Sequence, residues 1–156
     1  MRLDYINTFI DAVVAALEET SGAPVSRGDI KLRGESAARQ DIAAVIGMTG
    51  DVDGRVIIEM GKGTALAIAG IMNKEPLIEL DPLAMDTLGE LANILVARAV
   101  SALNDRNFVF HLTPPLIFTG ADLARSGNIN LESLMVPLHM NAGTINLHVA
   151  LKMNTL

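Results

Sequence analysis

The stretch DPLAMDTLGELANILVARAVSALN, residues 81–104, decides the fold. Asp81 suits a helix N-cap, because its carboxylate can accept from the unpaired N–H groups of the first turn. Pro82 suits the first helical position, where a missing N–H costs nothing. At about 100° per residue, Leu88, Leu91, Ala92, Leu95, Ala99 and Leu103 fall on one side of the helix. That apolar stripe needs a core beneath it. Asp86, Glu90, Asn93, Ala97, Ser101 and Asn104 fall opposite and form one unbroken ridge. The ridge begins acidic, passes an amide and becomes small. Ile94 and Val100 lie on its borders. Small residues beside apolar flanks let another protein approach closely, so the outward face over roughly residues 82–105 is the candidate for chemistry. Periodicity alone favours an ordinary solvated face.

Upstream of this helix, Leu3, Ile6, Ile10, Val13, Val14 and Leu17 recur at three- and four-residue steps, which predicts a helix over 3–20 with Gly22 as its stop. Val25 and Ile30-Lys31-Leu32 read as extended, and Gly34 to Gln40 as loop. Ile42 to Met48 and Arg55 to Met60 form a hairpin around turn chemistry at Thr49 to Gly54. Gly61-Lys62-Gly63 ends that hairpin, and Thr64 is the expected N-cap of a short helix reaching Met72. These glycines lack the GxxxxGK[ST] spacing of a phosphate loop and are read as a strand-to-helix turn.

Downstream, Asn104 to Asn107 closes the long helix. Phe108 to Leu112 and Leu116 to Thr119 are extended, interrupted by Pro114-Pro115, and Gly120 to Glu132 reads as loop. A second hairpin ends the chain. Leu134, Val136, Leu138 and Met140 alternate with polar or small residues, and Asn141-Ala142-Gly143 is the turn. Ile145, Leu147, Val149 and Leu151 then face one way while Asn146, His148, Ala150 and Lys152 face the other. Pro137 marks an edge or a bulge. Helix, extended arm and hairpin therefore occur twice. Asp4-Tyr5-Ile6-Asn7 stands where Glu90-Leu91-Ala92-Asn93 stands in the second copy, and Gly54 stands where Gly143 does. The expected fold is α+β: a pseudo-two-fold duplicated helix–strand–hairpin unit, with a mainly antiparallel sheet packed against two long helices, in one domain over 1–156.

With 156 residues, half of them hydrophobic and only 3% aromatic, the core must be aliphatic. The eight methionines, Met48, Met60, Met72 and Met85 among them, read as gap-fillers in it. The absence of cysteine excludes disulfides, thiolate nucleophiles and thiolate metal sites. A net charge of -6 with scattered basic residues argues against nucleic acid and anionic membrane surfaces as partners, and favours a basic protein patch. No apolar run reaches the roughly 18–20 residues that span a bilayer. The opening residues lack the layout of a signal peptide, so a cytoplasmic protein is expected. His111, His139 and His148 are far apart, on predicted strands, without partners at metal-ligand spacing.

Asp86-Thr-Leu-Gly-Glu90-Leu-Ala-Asn93 resembles the motif of the CheC/CheX/FliY family of chemotaxis phosphatases, most closely its CheX branch. That motif is Asp or Ser, three residues, Glu, two residues, Asn, and often a glycine four residues on. Asp86, Glu90 and Asn93 match; Ala97 replaces the glycine, one small residue for another. The likeness extends to Tyr5-Ile6-Asn7 with Phe9-Ile10, to Ile46-Gly47-Met48-Thr49-Gly50 with Gly54, and to Leu116-Ile117-Phe118-Thr119-Gly120. It is weakest over 23–41 and 121–132. Family members of the CheC type carry two motif copies. Here the first copy, Asp4-Tyr5-Ile6-Asn7, lacks the Glu, which is similar to the single-site CheX arrangement.

The resemblance implies a hydrolase acting on the aspartyl phosphate of a CheY-like response regulator, with Glu90 and Asn93 catalytic and Asp86, Ile94 and Ala97 contacting the partner. It implies no cofactor of its own, with Mg²⁺ on the regulator, and a homodimer. A non-catalytic module that binds a response regulator or a flagellar switch is the alternative. A structural subunit docking the same helix face on an unrelated protein is the third reading.

Overall fold

The computed structural model describes residues 3–33, 40–104, 109–120 and 133–153. Helix α1 spans Leu3–Ser21. It ends at Gly22, whose φ of +69° is the left-handed conformation a helix stop requires, and whose N–H donates to the Glu18 carbonyl at 2.8 Å. Two short strands follow, β1 (Ser26–Arg27) and β2 (Lys31–Arg33). The first hairpin is β3 (Ile42–Gly50) with β4 (Val52–Met60). Helices α2 (Lys62–Asn73) and α3 (Pro82–Asn104) come next. Strands β5 (Phe110–Leu112) and β6 (Leu116–Thr119) precede the second hairpin, β7 (Ser133–Met140) with β8 (Gly143–Met153). The expected loops over 34–39 and 121–132, and the helix end at 105–107, lie outside the described residues.

The strands form one antiparallel sheet in the order β1-β7-β8-β4-β3-β5, with β2 also along β7 and β6 also along β3. The duplicated unit is visible in this order. The two hairpins meet through β4 and β8, from Val52 opposite Met153 to Met60 opposite Ile145. Each unit's broken arm crosses to the other unit's hairpin: β1 and β2 lie on β7, while β5 and β6 lie on β3.

All three helices cover one face of the sheet. Ile6, Phe9, Ile10, Val13 and Leu17 of α1 and Leu88, Leu91, Leu95, Ala99 and Leu103 of α3 bury against Ile42, Ile46, Val56, Ile58, Leu138, Ile145 and Leu147. Four of the methionines fill this core as expected: Met48 and Met60 are buried, and Met72 and Met85 pack at its margin.

Several local expectations change. The first turn is tighter than Thr49 to Gly54, because the neighbouring strands supply partners for residues read as turn: Thr49 pairs with His111 and Asp53 with Lys152. Gly54 is thus a mid-strand residue opposite Met48 and is not the counterpart of Gly143. Positive φ occurs instead at Gly50 (+125°) and Gly143 (+134°). Thr64 does not cap α2. Gly61 holds the cap position, and Asp41 Oδ2 accepts from the Lys62 N–H at 2.8 Å. Thr64 packs against Gly143, leaving no room there for a Cβ.

Pro137 sits where the outer strand breaks. Its carbonyl accepts from the Gly28 N–H at 2.8 Å, and the register slips by one residue between Arg27 opposite Leu138 and Lys31 opposite Met135. That is the bulge expected where a ladder donor is missing.

Because Leu95 is fully buried where α3 meets the core, Leu95→Ala is expected to cost about 2–5 kcal/mol. Urea unfolding followed by circular dichroism measures it.

Candidate functional site

The site starts from how firmly α3 is held. Asp81 caps it as its sequence predicts, Oδ1 accepting from the Ala84 N–H at 2.9 Å. Thr87 is buried and donates to the Leu83 carbonyl at 2.8 Å. Asn73, at the end of α2, donates from one amide nitrogen to the Thr87 hydroxyl and the Ala69 carbonyl, each at 2.8 Å. Gly89 is buried, and a Cβ there would lie 3.6 Å from the Pro115 ring. One flank of the helix is thereby closed by α2 near its N-terminus, and the other by the Pro114-Pro115 segment.

Every predicted core residue of the stripe, from Leu88 to Leu103, is buried. The burial is wider than the stripe: Ala84, Thr87, Gly89, Val96 and Val100 are enclosed too. Val100 is thus not a border of the exposed face but part of the core. Ile94 is half-buried and keeps the border position.

Asp86, Glu90, Asn93, Ala97 and Ser101 are all exposed and share one line along the helix. Glu90 and Asn93 stand three residues apart on adjacent turns, which places their side chains as neighbours on the surface. Among the described residues no hydrogen bond or ion pair engages the side chain of Asp86, Glu90 or Asn93. The arrangement offers an outside molecule one carboxylate, and one amide with both a donor and an acceptor, on a backbone that cannot rotate away.

The corresponding face of α1 is engaged internally. Arg27 of β1 donates from Nη2 to Asn7 Oδ1 at 2.9 Å and from Nη1 to Asp11 Oδ1 at 2.7 Å. Asn7, the counterpart of Asn93, is spoken for by its own chain. Nothing in the local pattern of α1 announces this, since Arg27 is twenty residues away.

The three histidines stand on separate strands. His111 is exposed on β5, and His139 Nδ1 lies 3.0 Å from Thr144 Oγ1. His148 Nε2 lies 2.8 Å from Glu59 Oε1, both side chains being almost fully buried. The sequence reading has His148 on the polar face of its strand. It is on that face, but Ala43, Val45, Ile57 and Phe118 form a second small apolar cluster there. Glu59, unremarked in the sequence, pairs with it diagonally across β4 and β8.

A family model described as chemotaxis phosphatase CheX matches residues 42–139, which include all of α3 and most of the sheet. The chain belongs to the CheX family. It is 26% identical over 119 residues to the CheY-P phosphatase CheX of Thermotoga maritima, spanning 76% of this chain and 77% of that one. Its fold superimposes on CheX in the CheX–CheY–BeF3–Mg²⁺ complex from Borrelia burgdorferi with a TM-score of 0.81, at 28% identity and covering 97% and 99% of the two chains. A CheC-like superfamily protein from a Shewanella species has the same fold, with a TM-score of 0.82, 24% identity and coverage of 97% and 99%. Among the described residues, no helix is long and apolar enough to cross a membrane.

The Asn73 bridge makes a checkable claim about how α3 is fixed. Asn73→Ala is expected to destabilise the fold by about 1–2 kcal/mol, less than the loss at Leu95, as chemical denaturation reads it.

Proposed function

We propose that this chain is a cytoplasmic phosphatase that hydrolyses the aspartyl phosphate of a CheY-like response regulator, using Glu90 and Asn93. What carries the reading is the exposure of these two side chains, as neighbours, on the braced outer face of α3 in a chain of the CheX family. The relative from Borrelia burgdorferi in complex with CheY supports a partner of this kind.

An acyl phosphate is already labile, and phosphoryl transfer is accelerated mainly by positioning and electrostatics. What a partner can add is a water fixed in line with the phosphorus. The Asn93 amide can hold that water through its donor and acceptor together. It is too weakly basic to deprotonate the water, and a loose transition state demands little deprotonation. Glu90, one turn earlier, pairs with the regulator's active-site lysine, which docks the helix over the phosphate. Asp86, Ile94 and Ala97 line the contact around them. The Mg²⁺ that such a reaction uses is the regulator's.

Two copies pairing edge to edge through their sheets would form the homodimer. The short broken arms β1/β2 and β5/β6 are the sheet's edges, and α3 displays its ridge on the helix-covered side, so such pairing leaves the ridge open. Light scattering of the purified protein should give twice the chain mass.

The catalytic claim is tested by mixing the protein with a phosphorylated CheY-like regulator and following phosphate release. Asn93→Ala and Glu90→Ala should each slow the accelerated rate by about 10²-fold. A parental protein that leaves hydrolysis unchanged, or slows it, is a binding module instead.

A further inference from the structure

The ridge is too small to hold a partner alone. A stable protein contact covers about 800 Å² on each side, far more than two side chains offer. The contact has to spread beyond Glu90 and Asn93, and the flanks of α3 adjoin them. The flank carrying Gly89 and Val100 is buried, with Pro115 against Gly89. The opposite flank is closed near its start by the Asn73–Thr87 bridge. Farther along it opens into a groove of about 530 Å³ between the ends of α1 and α3, lined by Glu19, Thr20, Ile94, Ala97, Arg98 and Ser101.

We infer that this groove is the specificity pocket of the docking site: it takes an apolar side chain from the response-regulator surface beside the phosphorylated aspartate, while Arg98 pairs with a regulator carboxylate at its rim. The inference rests on the proposed partner and adds what selects it.

Three observations support this occupant. The groove is continuous with the ridge, because Ile94 directly follows Asn93 and Ala97 lies one turn beyond it. Ile94 and Ala97 give it an apolar strip, bordered by the polar Thr20 and Ser101 and by the Glu19–Arg98 pair, on which an apolar partner side chain can rest. Its rim carries a cation, Arg98, whose Nη2 is 2.7 Å from Glu19 Oε2. Both side chains are more than half exposed, at 52% and 65%, so this ion pair is weak in water and easily exchanged for another. Glu90 and Arg98 then form an ordered pair of opposite charges about 12 Å apart along the helix, at 1.5 Å per residue. A regulator presenting lysine to one and carboxylate to the other docks in a single direction, since reversal places like charges together.

The test fills the groove and leaves the catalytic pair alone. Ser101→Trp places bulk in it from an exposed helix position, and Ala67→Trp puts the same bulk on the exposed face of α2 as a control. Affinity for a CheY-like regulator loaded with beryllofluoride and Mg²⁺ is titrated, KM and kcat are measured with the phosphorylated regulator, and circular dichroism melts confirm folding. Ser101→Trp should raise Kd and KM by about tenfold or more, with kcat falling less than about threefold and Ala67→Trp unaffected. Arg98→Glu should also raise Kd.

Parental affinity in Ser101→Trp and Arg98→Glu, or equal losses in Ala67→Trp, would overturn the pocket while leaving the phosphatase reading intact. A parental protein that binds the loaded regulator without speeding hydrolysis would overturn the phosphatase reading, and the titrations would still decide the pocket.

Discussion

Everything in this protein depends on the rotational setting of α3 about its own axis. Leu91, Leu95 and Ala99 are clamped against the sheet, and a turn of one residue, about 100°, would bring Glu90 into the core. A buried lone carboxylate costs far more than the fold can spare. The apolar stripe therefore does two jobs at once. It supplies burial, and it fixes the direction in which Glu90 and Asn93 point. The Asp81 cap and the Asn73–Thr87 bridge fix the helix end on, so its ridge is a rigid feature of the surface. That rigidity suits the role proposed for the ridge, catalysis by placement with little acid–base chemistry.

Pseudo-symmetry gives the chain two long helices on the same sheet face, and the two differ in how their polar sides are used. On α3 the carboxylate and amide stay open to solvent. On α1 the equivalent amide is held by Arg27, together with Asp11. The first copy has become part of the scaffold, tying β1 to its helix. The surrounding fold is shared between the copies, and the two faces differ in the Glu that the first copy lacks and in the guanidinium that holds its amide.

The elements with strong local signals were legible in the sequence. The period of α3, its Asp-Pro start and the alternation of β8 each state one conformation, and the structure agrees. The ridge was legible for the same reason, because a helix with one unmixed apolar side leaves the other side exposed. Its chemical meaning was not in the periodicity and came from the family motif. The failures share a cause in contacts between distant residues. Thr49 and Asp53 read as turn because their partners, His111 and Lys152, lie far along the chain. Asp41 took the capping role expected of Thr64 from the preceding strand. The Glu59–His148 pair and the groove between α1 and α3 exist only when segments some eighty to ninety residues apart meet.

The crossed arms govern how this chain can be made. Strands β1 and β2 leave the ribosome well before β7, their ladder partner among the described residues, which follows about a hundred residues later. An N-terminal half released on its own would have an unzipped edge and an uncovered α1. Neither half holds a complete sheet, and vectorial synthesis cannot join the two hairpins until β8, the last described strand, has emerged to pair with both β4 and β7. Such long-range pairing is slow to form. The duplication visible in the fold is thus no longer divisible: two similar halves have become obligate to one another within a single polypeptide.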